Sequence, residues 1–279
     1  MKWNIVMDSS CDLTRKNFSC KNAEFETVPL KIIVGNKEFI DDESADVTEL
    51  LAAMKAEKKA SSSACPSPDD FYQSFMKAEN TLCFTMTGTL SGTNNCAQVA
   101  KKMVQETHPE KNIHVIDTHA TAGIMTLLAR KTDELIKENL TFQELTKQID
   151  EYCASLHLVF TLAQFDNLVK SGRMNAIAGA IASHLGIRAV AINSPKGEIE
   201  VVKKVRGEEK AMAAMVEIMC ETKEMKGKPV AISQCQNKEG AEFVKKLIRE
   251  KCGTNDITIY ECKALTTFYA MEKGLIISY

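Results

Sequence analysis

The chain has 279 residues, 44% hydrophobic and 26% charged, with 35 Lys and Arg against 37 Asp and Glu and a formal charge of −2. That composition excludes an intrinsically disordered chain, which is apolar-poor and strongly charged, and it lacks the basic excess of a nucleic-acid binder, so no nucleic-acid partner is expected. No apolar run reaches the roughly 18 residues of a membrane-spanning helix, so no membrane span is expected.

Met1–Met7 leads straight into a strand-like stretch and shows no signal peptide, so a cytoplasmic location is expected. The ten cysteines are scattered without a Cys-x-x-Cys pair and read as reduced thiols packed as small hydrophobes. The five histidines do not cluster with them, so no metal site is expected. At roughly 100–200 residues per domain, the length predicts two domains.

The first elements alternate strand and helix. Ile5-Val6-Met7 is a short apolar strand ending at Asp8-Ser9-Ser10. Residues 25–34 are β-rich, and Gly35-Asn36 signals a turn. Asp41-Asp42-Glu43 reads as a solvated acidic loop. Val47, Leu50, Leu51 and Met54 recur at helical spacing. Residues 61–68 read as a loop, and Ser67, Pro68 and Asp70 combine cap, first-turn proline and acidic third position at a helix start.

Residues 82–86 form a buried strand, 87–93 a polar glycine-containing loop, and Ala97, Ala100, Met103 and Val104 a helix face. A strand over 112–117 and a helix over 120–138 follow, and Thr141 with Glu144 makes a capping box for the next helix. These β-loop-α units predict a parallel sheet with helices on both faces.

The pattern changes near residue 155. A strand-like run over 157–163 precedes a short helix over 165–169, broken at Ser171-Gly172. Residues 175–185 form a helix of small residues, suited to close packing or to walling a hydrophobic tunnel. Residues 187–193 and 198–205 flank Pro195-Lys196-Gly197 as a hairpin. Helices over 208–225 and 241–251 alternate with strands over 230–233 and 257–261, and the chain ends in apolar Leu275-Ile276-Ile277. The boundary is placed between a 1–155 and a 156–279 α/β domain.

Three segments carry candidate chemistry. The loop over 87–93 lies between a strand and a helix, where open α/β sheets bind ligands. Free helix N–H groups with the Ser91 and Thr93 hydroxyls suit an anion, although Ser91 as a plain helix cap is the simpler alternative. The glycine spacing and lysine of a phosphate loop are missing. Ser61–Ser63 offers hydroxyls, or only a polar loop. Arg173, after Gly172, offers a fork of donors to a carboxylate, or a cap for backbone carbonyls. A catalytic Ser91 needs a base; His119, after the 113–117 strand, falls at the same sheet edge, but nothing in the sequence demonstrates the contact and a Gly-x-Ser-x-Gly string is absent.

Together these pieces resemble the DegV family of bacterial fatty-acid-binding proteins over essentially the whole chain. The resemblance rests on Asp8-Ser9-Ser10-Cys11-Asp12, Val28-Pro29-Leu30, Phe39-Ile40-Asp41-Asp42, Pro66-Ser67-Pro68, Leu90-Ser91-Gly92-Thr93, Val115-Ile116-Asp117-Thr118, Gly172-Arg173-Met174 and Val205-Arg206-Gly207. It implies an α/β fold of two α/β domains. The N-terminal one holds a parallel, Rossmann-like sheet and the C-terminal one a mixed or antiparallel sheet with flanking helices.

One long-chain fatty acid, such as palmitate, lies between the two domains in the implied arrangement, with no cofactor and no catalysis by the chain itself. The carboxylate positions carried over are Ser63 and Ser91, with Ser62 as alternative to Ser63 because Ala64-Cys65 departs from the family loop. Thr93 and Arg173 lie near the same head group. A fatty acid kinase is the implied partner, and the chain reads as a monomer.

The family's histidine near its C-terminus aligns with Phe268, leaving Thr266, Thr267 or Tyr269 to supply the missing polar group. The competing expectation is an acyl- or phosphoryl-transfer enzyme working through the 87–93 loop.

Overall fold

The computed structural model describes residues 2–14, 18, 21–57, 61–174 and 186–279. The small-residue helix expected over 175–185 lies outside the described residues. In chain order the first half runs β1 (Trp3–Asp8), β2 (Glu24–Val28), β3 (Lys31–Val34), β4 (Lys37–Ile40), α1 (Val47–Ala56), β5 (Ser62–Ala64), α2 (Pro68–Phe75), β6 (Asn80–Thr85), α3 (Thr93–Thr107), β7 (Asn112–Asp117), α4 (Gly123–Ile136) and α5 (Phe142–Ala154). The second half runs β8 (Leu158–Thr161), α6 (Asp166–Lys170), β9 (Ile187–Asn193), β10 (Ile199–Arg206), α7 (Glu208–Thr222), β11 (Val230–Gln234), α8 (Lys238–Cys252), β12 (Ile257–Glu261), α9 (Ala264–Ala270) and β13 (Leu275–Ser278).

The βα alternation of the first half produces the parallel sheet it predicts, in the order β2-β1-β6-β7. Strands β1 and β6 are central and buried along their whole length, as expected where helices cover both faces. The strand period of two divides their side chains. Val6 and Cys83 face α2 and α3 with Phe71, Phe75, Ala97 and Val104, while Ile5, Met7, Leu82 and Phe84 face α4 and the second half.

Both anticipated helix starts are present. The Ser67 hydroxyl accepts from the Asp70 N–H while the Asp70 carboxylate accepts from the Ser67 N–H, and Thr141 with Glu144 repeats the arrangement.

The second half forms a mixed sheet in the order β10-β9-β8-β13-β11-β12, in which only β11 and β12 pair in parallel. The expected hairpin is β9–β10. One face, through Val190, Val230, Ile232 and Ile277, packs on Met215, Met219, Val244 and Ile248 of α7 and α8. The other face, through Leu158, Phe160, Ala191 and Ile276, joins the same core as Ile5, Met7 and Phe84 of the first sheet. Helix α4 sits between the sheets. Its first residue, Gly123, comes so close to the second sheet that an added Cβ would stand 2.8 Å from the Ser278 hydroxyl and 2.9 Å from the Ala231 Cβ.

Three expectations are corrected. Residues 61–68 are not simply a loop, because β5 pairs with β3 in a small antiparallel sheet ordered β4-β3-β5. Long-range pairing supplies that strand where local composition signals only a polar stretch. The cysteines are not all reduced: Cys220 and Cys252 are bonded, their Cα atoms 5.8 Å apart, because α7 and α8 pack side by side and bring together residues 32 apart in the chain. Finally, Asp41 is not solvated. It is fully buried.

That burial has a measurable consequence. Asp8, Asp12 and Asp41 are all buried, and desolvation pushes each carboxyl up, Asp41 from 3.8 to about 6, with the positive charge of buried Lys263 opposing the shift. Between pH 3.8 and about 6 the folded state therefore keeps a proton on Asp41 that the unfolded chain has lost. Stability falls as pH rises through that window and is unaffected by Asp41 below it. Urea unfolding of the parent and Asp41→Asn at about pH 4 and about pH 7 should show the variant gaining on the parent at the higher pH, by at most about 3 kcal/mol. A difference independent of pH would show that Asp41 titrates normally.

Candidate functional site

The carboxyl ends of β1, β6 and β7 converge where an open sheet binds ligands. The Asp8 carboxylate accepts from the Met86 N–H (2.6 Å) and the Ser10 N–H (2.9 Å), tying the end of β1 to the end of β6. Asp117 at the end of β7 accepts from the Gly88 N–H (3.0 Å) and the His119 N–H (3.0 Å). The Ser9 hydroxyl accepts from the Leu30 N–H (2.9 Å). These buried or half-buried carboxylates and hydroxyls shape the loops that form the site.

Against those loops lies an apolar cavity with about 890 Å³ of unfilled space, its open mouth included. Leu30, Met86, Leu90 and Ala120 wall it from the first half; Leu158, Phe160, Ile192, Ile199, Leu265 and Ile276 wall it from the second. The β9–β10 turn closes one side. The Thr87 hydroxyl donates to the Gly197 carbonyl (3.1 Å), and the Thr89 hydroxyl donates to the Lys196 carbonyl (2.6 Å).

Gly197 has φ +78, and an added Cβ would meet the Thr87 Oγ1 at 2.1 Å. A side chain there strains the backbone by about 1–2 kcal/mol and also displaces the turn. Gly197→Ala should therefore lower the urea midpoint, and the cavity variant Thr87→Ala should lower it less. Equal midpoints for parent and Gly197→Ala would show that the turn does not hold this contact.

The anticipated site residues separate clearly. Ser63 lines the cavity from β5, and its Oγ is 2.8 Å from the Tyr269 Oη. Ser62 is exposed and is not part of the cavity wall, because adjacent strand residues point to opposite faces. Ser91 lines the cavity at the start of α3, its Oγ 2.8 Å from the Thr93 Oγ1 and accepting from the Thr93 N–H at 3.3 Å. Thr93 is fully buried behind Ser91.

Arg173 also lines the cavity, its Nε donating to the Leu90 carbonyl (3.1 Å) and its Nη1 to the Ser171 carbonyl (2.9 Å). It borders a second, polar cleft formed by Gly88, Thr89, Gly92, Asn94 and Asn95 at the N-terminus of α3. There the helix has Gly92 as N-cap, without a capping side chain of its own, and the Ser91 hydroxyl accepts the Thr93 N–H.

Among the three C-terminal candidates the structure distinguishes roles. Tyr269 lines the cavity and bonds Ser63. Thr266 lines the cavity, its hydroxyl donating to the Ser10 carbonyl at 3.5 Å. The Thr267 hydroxyl is buried on the Cys262 carbonyl at 3.3 Å. Phe268 is fully buried among Leu30, Ile32 and Leu50. His119, which its place just after β7 puts at the same sheet edge as Ser91, lines the cavity, and so does Asn193, which no sequence signal singled out.

The family model described as "Uncharacterised protein, DegV family" matches residues 2–278. The chain belongs to the DegV family. A DegV domain-containing protein of Streptococcus gordonii is 39% identical over 279 residues, covering 100% of this chain and 99% of that protein. The Streptococcus pneumoniae Fatty Acid Kinase (Fak) B3 protein loaded with linoleic acid superimposes with a TM-score of 0.96 at 38% identity, covering 100% of this chain and 99% of that one. A DegV family protein from Eubacterium eligens loaded with heptadecanoic acid superimposes with a TM-score of 0.93 at 29% identity, covering 99% of this chain and 98% of that one.

The DegV fold thus accounts for the parallel and mixed sheets together. Among the described residues, no helix is long and apolar enough to cross a membrane.

Proposed function

We propose that this chain binds one long-chain fatty acid in the cavity between its two sheets and presents the carboxylate to a fatty acid kinase. The observation that carries this reading is a cavity with an apolar body and a hydroxyl-bearing end at Ser63, Ser91 and Tyr269. Its two walls come from units we place at 1–155 and 156–279. Fatty acids in DegV relatives of the same fold support the ligand class, and the Fak B3 protein supports the kinase partner.

Burying about 15 methylenes at roughly 0.8 kcal/mol each yields on the order of 12 kcal/mol of gross transfer free energy, which ordering and association costs reduce. The carboxylate cannot follow the tail into the cavity unpaired. Ser63 and Ser91 donate to it in this reading. The Tyr269 O–H then donates to the Ser63 oxygen, turning the Ser63 hydrogen toward the ligand, and Thr93 orients Ser91 in the same way. Arg173 stands at the mouth, where its positive charge favours the anion.

The chain performs no covalent step in this scheme. Ser91 has Thr93 as its hydroxyl partner, and His119 lies beside Asp117 at 3.6 Å, so the pairing of nucleophile with base that an acyl-transfer enzyme requires is not what these contacts form.

Native mass spectrometry of the purified chain, followed by denaturing lipid extraction, tests this. One fatty acid per chain is expected. A chain that is empty and refuses added fatty acid overturns the reading, and turnover of an activated ester that is lost in Ser91→Ala favours the enzyme.

A further inference from the structure

We propose that Cys65 and Cys96 form a reversible disulfide site at the head-group end of the cavity, closed by exchange with a small-molecule disulfide. Among the described residues, Cys65 is the one exposed free cysteine; Cys11, Cys83, Cys235 and Cys262 are buried, and Cys220 and Cys252 are already bonded to each other. Cys65 follows β5 by one residue and Ser63 by two. Cys96 lies in the first turn of α3, five residues beyond Ser91, and is half-buried.

The geometry brings the two together. The Cys65 Sγ lies 3.4 Å from where a Cβ on Gly92 would stand, occupying the space this glycine leaves open. The Cys96 N–H donates to the Gly92 carbonyl at 3.1 Å, so Gly92 and Cys96 stack on one face of the helix. Cys65 therefore sits over the helix face that carries Cys96.

Their environments also assign an order of attack. Burial, and next the neighbouring Cys65 sulfur, hold the Cys96 thiol above its ordinary range, whereas Cys65 is open to solvent. The Cys65 thiolate attacks one sulfur of a disulfide such as oxidised glutathione, forming a mixed disulfide and expelling one glutathione thiolate. The Cys96 thiolate then attacks the Cys65 sulfur, forming the Cys65–Cys96 bond and expelling the second. Two electrons pass from the cysteine pair to the small disulfide, and the two thiol protons end on the two glutathione molecules. A dithiol reverses the sequence.

The bond ties the end of the strand that carries Ser63 to the helix that begins just after Ser91. It restrains the opening of the head-group end, so the oxidised chain exchanges ligand more slowly. That consequence rests on the fatty-acid reading, whereas formation of the bond does not.

The full chain is incubated with oxidised glutathione at about pH 8, alkylated, digested without reductant and mapped by mass spectrometry. A Cys65–Cys96 cross-linked peptide is expected, lost on adding dithiothreitol and absent from Cys65→Ser and Cys96→Ser. Glutathione retained on Cys65 with Cys96 alkylated overturns the site.

Release of a labelled fatty acid is then timed in the oxidised and reduced chains. A slowing of about fivefold or more is expected. Equal rates overturn the effect on exchange. A chain that takes up no fatty acid fails the functional reading, and the peptide map still decides the disulfide.

Discussion

Replacing both Ser63 and Ser91 by alanine lowers long-chain fatty acid affinity by at least about 100-fold, read as Kd by titration calorimetry. Each hydroxyl donates to a carboxylate in the proposed complex, and such a charge-assisted bond contributes roughly 1.5–3 kcal/mol, so two together exceed two decades in Kd. The tail still gains from burial, so residual binding persists and the head group loses its fixed position. Ser63→Ala also strips Tyr269 of its 2.8 Å partner, leaving a phenol at the cavity wall with no serine to orient. Ser91→Ala likewise removes the contact to the Thr93 hydroxyl. The effects of the two single variants should not add strictly, because both serines donate to the same carboxylate. A double variant that retains full lipid occupancy and parental affinity would remove both residues from the head-group site.

Gly123→Val destabilises the chain by at least about 3 kcal/mol, because inserting side-chain volume into a packed contact forces the backbone apart. The contact is between fixed groups: the Cβ alone would stand 2.9 Å from both the Ala231 Cβ and the Ser278 Cβ, which belong to neighbouring strands of the second sheet. Neither group has a flexible end that can move away. Helix α4 must then withdraw from β11 and β13, which opens the core shared by the two sheets and widens the cavity. The expected readout is a fall in Tm of about 5–10 °C together with faster ligand loss. Unchanged Tm in Gly123→Val would mean that the sheets are held apart by something other than this helix.

Features governed by neighbours along the chain were legible from residues alone. The capping boxes at Ser67 and Thr141 act over three positions, and both are found where the pattern places them. The βα alternation of residues 3–154 implies a parallel sheet, since consecutive parallel strands need a crossover that a helix provides. The β9–β10 hairpin was equally visible, from a short turn between two β-rich runs. At the site, the segments bearing Ser63, Ser91 and Arg173 were singled out, and all three residues line one cavity although they lie up to 110 residues apart.

Other features escaped because their causes lie far off in sequence. Residues 62–64 become a strand only when β3 lies beside them. Asp41 reads as a loop carboxylate until the fold brings up Lys263, more than 200 residues away. The division of labour at the C-terminus was open as well, since Thr266, Thr267 and Tyr269 are all polar residues in one short segment. Helix α9 turns the Tyr269 hydroxyl to Ser63 and buries Phe268 in the core.

From its sequence alone, this chain determined most of its helices and strands, its α/β class and the loops where chemistry collects, because periodicity, capping and turn preference are local forces. Only the tertiary structure decided which hydroxyl of Ser62 and Ser63 faces the cavity, that Tyr269 completes the polar end, and that Cys220 meets Cys252. Strand register and helix packing set those pairings, and they arise from the burial of many distant side chains at once.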